Sequence, residues 1–483
     1  MNKTVRRVST VIMIMFLTLF ISVTYTQYIA ADDLNADGRN SRTIYREFGR
    51  DRGPILVSGD AIAHSEAVDD EFKFQRVYDE GPLYAPVTGF YSINYGATGI
   101  EHAETDTLNG TADALFYDRL RNLFTGNATQ GGSVELTLNA EAQEAAAQAL
   151  GDQAGAVVAL DVETGAVLTM VTSPSFDPNE IATHSTSEAA EAYERLSDDP
   201  DRPMENRAIR GRLYPPGSTF KLVTAAAALE SGDYKGKTKI NAPTRLELPQ
   251  TSATIGNYGG GACASGDEMP LSDALRISCN TAFADLGMEL GADSIRHQAE
   301  AFGFGSARNI PLSVSPSTYP DEVDEPQTAQ TAIGQYDVRV TPLQVAMISA
   351  AIANDGIPMT PYLVETIRSS DLTVRSRTSP EPLARAVSAD TAKELTDMMV
   401  GVVDSGTGTA AQISGMEVAG KTGTAEHSSE GSPHAWFTGF APADDPQVAV
   451  AVVVENGGSS GSEATGGSTA APIARAVIEA IVE

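Results

Sequence analysis

Tyr214-Pro215-Pro216-Gly217-Ser218-Thr219-Phe220-Lys221 sets a stiff Pro-Pro-Gly turn directly ahead of a helix. The turn delivers Ser218 to the helix N-terminus, where unpaired N–H groups and the positive dipole end favour developing negative charge. Lys221 comes three residues later and shares a face with Ser218. Phe220, Leu222, Val223, Ala225 to Ala228 and Leu229 make the helix apolar on nearly every side, so it is expected to be buried. Burial and the helix N-terminus both disfavour a cation, which biases Lys221 toward the neutral amine that accepts a proton. Ser218 is then a nucleophile with a base in reach. Of the eight Lys in the chain, only Lys221 has a Ser three residues before it. The bland alternative for such a spacing is a helix-capping Ser followed by a solvated Lys.

Around this helix, expected to stop near Gly232, the chain alternates strands and helices. Ala156 to Leu160 and Ala166 to Val171 flank Glu163-Thr164-Gly165 and read as a β-hairpin. Met416 to Ala425, Ala435 to Ala441 and Gln447 to Glu455 read as three strands, the last two joined by Pro442-Ala443-Asp444-Asp445-Pro446. Thr341-Pro342 opens a helix, with Thr as N-cap and Pro at the first helical position, that runs to about Asn354. Gly457 to Gly467 reads as a flexible loop and Ala470 to Val482 as a closing helix. An antiparallel sheet made from both ends of one domain, with helices on its faces, accounts for this order and gives an α+β class. Before it, residues 32–150 are polar and broken by turns, with short strands at Gly53 to Val57, Phe90 to Tyr95 and Ser133 to Leu138. Leu115 to Phe124 and Ala140 to Leu150 read as helices. This part reads as an accessory domain.

Two further groups can carry chemistry. Ser278-Cys279-Asn280, read as a turn or extended loop, projects a hydroxyl that can relay a proton and an amide that can hold a peptide by donor and acceptor at once. Ser92-Ile93-Asn94 has the same form but reads as a strand fragment. Lys421-Thr422-Gly423-Thr424 lies in an expected strand. There Gly423 lets a ligand backbone approach, and Lys421 with the two Thr hydroxyls can hold a carboxylate. The Thr424 N–H can join that of Ser218 as an oxyanion hole, and a peptide could add to the strand edge.

These three groups, in this order, resemble the penicillin-recognising acyl-serine enzymes. Tyr214 to Lys221, Ile333-Gly334-Gln335 with Thr341-Pro342-Leu343-Gln344, and Ala419 to Glu426 look like class B penicillin-binding proteins. The short N-terminal part is most similar to the actinobacterial penicillin-binding protein A type. The resemblance covers nearly the whole chain and implies a D,D-transpeptidase of peptidoglycan that needs no cofactor and no metal. Ser218 is expected to attack the penultimate D-Ala of a stem peptide, Lys221 to take its proton and Ser278 to relay it to the leaving D-Ala. Asn280, Lys421, Thr422, Gly423 and Thr424 are expected to bind the donor peptide, and β-lactams to acylate Ser218. A D,D-carboxypeptidase, or a non-catalytic β-lactam-binding scaffold or sensor of the division machinery, are the alternatives. A class A β-lactamase is disfavoured because no Glu-x-x-Leu-Asn stands between Asn280 and Lys421. A bifunctional enzyme lacks room for a glycosyltransferase before the hairpin. A SEDS-family membrane glycosyltransferase and division or elongation proteins are the expected partners.

The chain has 483 residues and a net charge of −31, from 33 Lys+Arg against 64 Asp+Glu. Such a field repels phosphate backbones and excludes a nucleic-acid binder. A Lys-poor acidic surface suits high or variable salt. Two Cys exclude a disulfide-rich scaffold, and six His show no metal-ligand spacing, His427 and His434 being closest at seven apart. Lys3, Arg6 and Arg7 precede an uncharged run from Val11 to Ala31, long enough to span a bilayer. Tyr25, Gln27 and Tyr28 make a poor cleavage context, so the run reads as an uncleaved signal anchor. Residues 1–10 are then cytoplasmic, 11–31 the anchor, 32–150 a dimerisation- or pedestal-like module and 151–483 the transpeptidase domain outside the cytoplasm. In that oxidising compartment Cys263 and Cys279, sixteen apart, are expected to form a disulfide rather than remain two buried thiols.

Overall fold

The computed structural model describes residues 3–30, 47–112, 115, 130–426 and 431–482. His427, Ala31 and nearly all of the helix expected over Leu115–Phe124 lie outside the described residues. Helix α1 is Lys3–Thr24, extended to Ile29 by one wider turn. Among the described residues it is the one helix long and apolar enough to cross a membrane. Further helices that frame the site are α2 (Ala140–Leu150), α3 (Lys221–Glu230), α4 (Leu271–Arg276), α5 (Asn280–Leu290), α6 (Pro342–Ala353) and α7 (Ala471–Val482).

Two sheets organise the chain. Strands β1 (Ile55–Val57), β2 (Asp60–Ala67), β3 (Phe74–Tyr78) and β4 (Ser133–Leu136) come from the N-terminal part. Strands β5 (Gly155–Asp161) and β6 (Val167–Ser173) form the expected hairpin, β7 (Val364–Arg368) and β8 (Val374–Arg377) a second, and β9 (Ala419–Ala425), β10 (His434–Ala441) and β11 (Val448–Val454) the C-terminal strands. The five-stranded sheet has the order β9-β10-β11-β5-β6, antiparallel throughout. Side-chain alternation assigns its faces. Ala156, Val158, Leu160, Ala449, Ala451, Val453, Trp436 and Phe440 join the larger core, on the side of α6. Val157, Ala159, Val448, Val450, Val452, Phe437 and Ala435 face α7 and α2. Helices on both faces explain why β11 reads Val-Ala-Val-Ala-Val-Val-Val without a polar residue, as a doubly covered strand requires. Thr341 caps α6 by accepting the Gln344 N–H at 3.1 Å.

The six-stranded sheet has the order β8-β7-β4-β1-β2-β3. It crosses the expected boundary at 150: β7 pairs antiparallel with β4, and the Arg368–Glu135 ion pair (2.9 Å) spans the same seam. Helix α2, on the N-terminal side of that boundary, packs on β6 and α7. Two local expectations differ. The strand over Phe90–Tyr95 shortens to Tyr91–Ser92, because Gly96 takes a positive φ of 71° and folds the chain back to pair at Gly96–Ala97. The Gly/Ser stretch from Gly457 is coiled into tight turns (Glu455–Glu463 and Gly466–Ala470) instead of an open loop. Gly466 is pressed so closely on the sheet that a Cβ there would meet the Gly423 nitrogen at 2.8 Å.

Beneath β1–β3 lies a buried ion cluster. Glu101, with no exposure, accepts from Arg52 Nε and Arg76 Nε, each at 2.6 Å, and from the Tyr78 hydroxyl at 3.2 Å. Burial raises the carboxyl pKa, but the two guanidiniums outweigh it and hold the group below its usual range. Removing one member of such a cluster strands buried charge. Glu101→Gln is expected to lose about 3–5 kcal/mol of stability, read as a lower melting temperature and faster proteolysis of residues 47–134.

Candidate active site

The Ser218 turn is fixed from three sides. Gly217–Phe220 forms one 3₁₀ turn that leads straight into α3. Tyr214 exchanges both backbone hydrogen bonds with Val340 (3.0 and 2.8 Å), and the Gly217 N–H donates to the Gly334 carbonyl at 3.0 Å. The Ile333-Gly334-Gln335 and Thr341-Pro342 segments thus stand directly behind the serine. On the third side, Trp436 Nε1 on β10 donates to the Pro215 carbonyl at 3.2 Å. Strand β9 runs along the turn: a Cβ at Gly217 would lie 2.9 Å from the Thr424 carbonyl oxygen, and one at Gly423 would lie 3.0 Å from Thr219 Cγ2 and 3.1 Å from the Pro216 carbonyl. The close approach at Gly423 is therefore made by the protein's own serine turn. Gly217 adopts φ +52° and Gly334 φ +72°, conformations that suit residues without a Cβ.

Ser218 itself is half-buried, whereas Lys221 and Lys421 are fully buried. Lys221 Nζ lies 2.8 Å from the Ser278 carbonyl, 2.7 Å from Asn280 Oδ1 and 3.3 Å from Ser278 Oγ. Ser218 is not among the amine's hydrogen-bond partners. Lys421 Nζ donates to Ser278 Oγ at 2.9 Å and to the Thr422 carbonyl at 2.8 Å. Thr422 Oγ1 is 2.6 Å from Thr407 Oγ1. Burial, then the charge of Lys421, holds the Lys221 amine well below its ordinary pKa, and burial brings Lys421 down to about 7. The Ser278 hydroxyl thus stands between the two amines, 3.3 Å from Lys221 Nζ and 2.9 Å from Lys421 Nζ, and a neutral Lys221 keeps a lone pair that can accept a proton.

Of turn and extended loop, the two forms open to it, Ser278 takes the turn. Its φ is +60°, and it closes α4: the Ser278 N–H bonds the Leu275 carbonyl (3.1 Å) and the Cys279 N–H the Ala274 carbonyl (2.8 Å). That is a Schellman termination, in which the left-handed residue is usually Gly or Asn. A Ser there carries a backbone cost of order 1–3 kcal/mol, and its carbonyl and hydroxyl both reach Lys221. Asn280 then begins α5.

Apart from the expected Cys263–Cys279 disulfide, sequence reasoning missed the supports of this constellation. Asn257 Oδ1 accepts the Asn280 and Thr281 N–H groups at 3.0 and 3.1 Å and so caps α5 from a neighbouring loop. The Cys263–Cys279 disulfide, with Cα atoms 6.0 Å apart, ties the same loop to the centre of Ser278-Cys279-Asn280. Behind the serine turn, the Tyr214 hydroxyl donates to Glu455 Oε1 at 2.7 Å, and Arg207 Nε donates to the same oxygen at 3.1 Å. Glu455 is 8 % exposed and Arg207 6 %. One signal was available: Glu455 is the single charge that closes the wholly apolar β11.

With that geometry in view, the comparisons with known proteins agree with one another. Residues 155–479 match the penicillin binding protein transpeptidase domain, and residues 52–134 the penicillin binding protein A dimerisation domain. The chain is 47 % identical to the peptidoglycan D,D-transpeptidase PbpA of Mycolicibacterium smegmatis, over 99 % of both chains. It is 46 % identical to PbpA of Mycobacterium tuberculosis, over 100 % of this chain and 99 % of that one. Penicillin-binding protein A of M. tuberculosis, solved as a ceftriaxone acyl-enzyme complex, superposes with a TM-score of 0.88 at 45 % identity, covering 91 % of this chain and all of that one. The D,D-transpeptidase domain of a peptidoglycan glycosyltransferase from Eggerthella lenta gives 0.78 at 34 %, over 90 % and 98 %. A buried Ser-x-x-Lys turn lying along a Lys-Thr-Gly strand, with the family's domain matched from β5 to α7, makes this chain a member of the penicillin-binding protein transpeptidase family.

Proposed function

We propose that the chain is a peptidoglycan D,D-transpeptidase acting through an acyl ester on Ser218, and that β-lactams form the same ester. The observation that carries the reading is the buried amine of Lys221, held one turn from Ser218 and linked to Lys421 through Ser278. Ser218 Oγ attacks the carbonyl of the penultimate D-Ala while Lys221 removes its proton. The N–H groups of Ser218 and Thr424 receive the negative oxygen. The C–N bond breaks, terminal D-Ala leaves with a proton relayed by Ser278, and an acceptor amine attacks the ester to form the cross-link and free Ser218. Asn280 holds the donor backbone, Gly423 lets the serine turn lie against β9, and Lys421, Thr422 and Thr424 take the donor's carboxylate.

Lys3, Arg6 and Arg7 in the first turns of α1 favour its start in the cytoplasm and the catalytic part outside. A membrane-embedded SEDS-family polymerase is the partner class that suits an anchored transpeptidase. The test is the full chain in detergent with a D-Ala-D-Ala or thioester donor plus an amine, products read by mass. Transfer supports the proposal, hydrolysis alone makes the chain a carboxypeptidase, and no turnover makes it a scaffold.

Two expected outcomes follow from the geometry. Lys221 protonates as pH falls through its lowered pKa, so acylation by penicillin G falls on the acid side. Lys421→Gln removes a positive charge that depresses Lys221, raises that pKa and moves the acid limb to higher pH; an unmoved limb would separate the two amines. Glu455→Gln loosens Tyr214 and with it the serine turn, and is expected to slow acylation about tenfold while the label stays on the same peptide.

A further inference from the structure

Strand β9 is an edge of the five-stranded sheet, and a turn from elsewhere in the chain leans on it. The helix Ala389–Ser405 ends in Gly406-Thr407-Gly408, and this turn is wedged against the end of α4. The Thr407 N–H donates to the Arg276 carbonyl at 3.3 Å, and Arg276 Nη1 donates to the Ser405 carbonyl at 3.3 Å. Arg276 is the last residue of α4, two before Ser278. A Cβ on Gly406 would collide with the same Arg276 carbonyl, and one on Gly467 with the Thr407 carbonyl. The Thr407 backbone is thus gripped from α4 and from the turn ahead of α7, so its position is fixed before its side chain finds a partner. That partner is in the Lys-Thr-Gly segment: Thr407 Oγ1 lies 2.6 Å from Thr422 Oγ1.

Alternation along β9 puts Thr422 and Thr424 on one side and Lys421 on the other. Lys421 is fully buried, and its amine serves Ser278 Oγ and the Thr422 carbonyl. Thr422 is 5 % exposed, whereas Thr407 stands exposed beside it. Among the described residues, Thr407 Oγ1 is the one hydrogen-bond partner of Thr422 Oγ1. Two hydroxyls in contact share one hydrogen, so the pair keeps one O–H free to donate. A hydroxyl that accepts one hydrogen bond donates the next more strongly. A carboxylate is the strongest acceptor for that donor.

We infer that Thr407 is a positioning residue for donor selection: its hydroxyl fixes that of Thr422, so that the pair presents one O–H to the carboxylate of the donor peptide or of a β-lactam. Ligands ending in a free acid are favoured as a result. The inference rests on Ser218 being the acylated residue. Because α4 carries Ser278 at its end and grips Thr407 through Arg276, one helix sets both the Ser278 hydroxyl and this carboxylate contact.

The experiment compares penicillin G with its methyl ester, which keeps the reactive lactam but not the carboxylate. Second-order acylation rates are read by mass on the full chain in detergent, with the adduct located on the peptide that carries Ser218. The parent chain is expected to favour the acid. Thr407→Val is expected to cut the acid-to-ester ratio about tenfold, the effect of about one hydrogen bond to a charged group. Thr407→Ser, which keeps the hydroxyl, is expected to retain the parent ratio. In a Thr422→Val background, Thr407→Val is expected to slow the acid no further, because one hydroxyl acts through the other. Acid and ester slowed alike by Thr407→Val make Thr407 a structural brace and overturn the inference. A second tenfold loss in the Thr422→Val background overturns it too, as does a parent chain that does not distinguish acid from ester. If neither compound marks the Ser218 peptide of the parent chain, the assignment of Ser218 fails and takes the inference with it. If both mark it and Thr407→Val leaves the ratio unchanged, the inference alone fails.

Discussion

Ser218→Ala is expected to abolish covalent labelling by a fluorescent penicillin while the melting temperature stays within a degree or so of the parent chain. The hydroxyl is absent from the bonds that shape its turn, which are the Gly217–Gly334, Thr219–Pro216 and Trp436–Pro215 hydrogen bonds. Replacing it with a methyl hydrogen therefore touches chemistry and not folding. Because the adduct is an ester to that oxygen, the loss is complete and not graded. Stoichiometric label on the variant would mean that another residue is the nucleophile.

The second large effect is at Lys221. Its removal is expected to slow acylation by about 10²–10⁴-fold, the contribution of a placed general base. Lys221→Ala also leaves a void in the core and deprives Asn280 Oδ1 and the Ser278 carbonyl of their donor, so a folding defect could mimic a catalytic one. Lys221→Met fills the void without a base. Equal slowing in both variants, with near-native melting for Met, assigns the loss to the missing lone pair. Parent-like acylation in Lys221→Met would make the amine a structural group.

Much of this site was readable because it is written in short segments with unusual combinations of residue types. A Lys in an otherwise apolar helix, preceded by Pro-Pro-Gly-Ser, has few structural uses. The strands β5, β6 and β11 were readable for a different reason: each is a compact, mainly apolar run bounded by turn residues. What could not be read depends on pairing between distant segments. Strands β7 and β8 complete a sheet begun some 230–310 residues earlier (Thr366 opposite Glu135, for example), and nothing local to them announces it. At Ser278 the sequence leaves turn and extended loop open, because the left-handed residue that closes such a helix is normally Gly or Asn. Asn257 acts through one oxygen, and an isolated Asn carries no pattern; Glu455 is marked only by its place at the end of the apolar β11.

The central claim is that an uncharged, buried Lys221 prepares Ser218 for ester formation. The most direct test is a high-resolution crystal structure of the penicillin G adduct. The account predicts electron density continuous from Ser218 Oγ to the opened lactam carbonyl, with Lys221 Nζ still between Ser278 and Asn280 and within hydrogen-bond reach of the ester oxygen. Density on any other side chain, or a Lys221 ammonium swung out against a surface carboxylate, would contradict it.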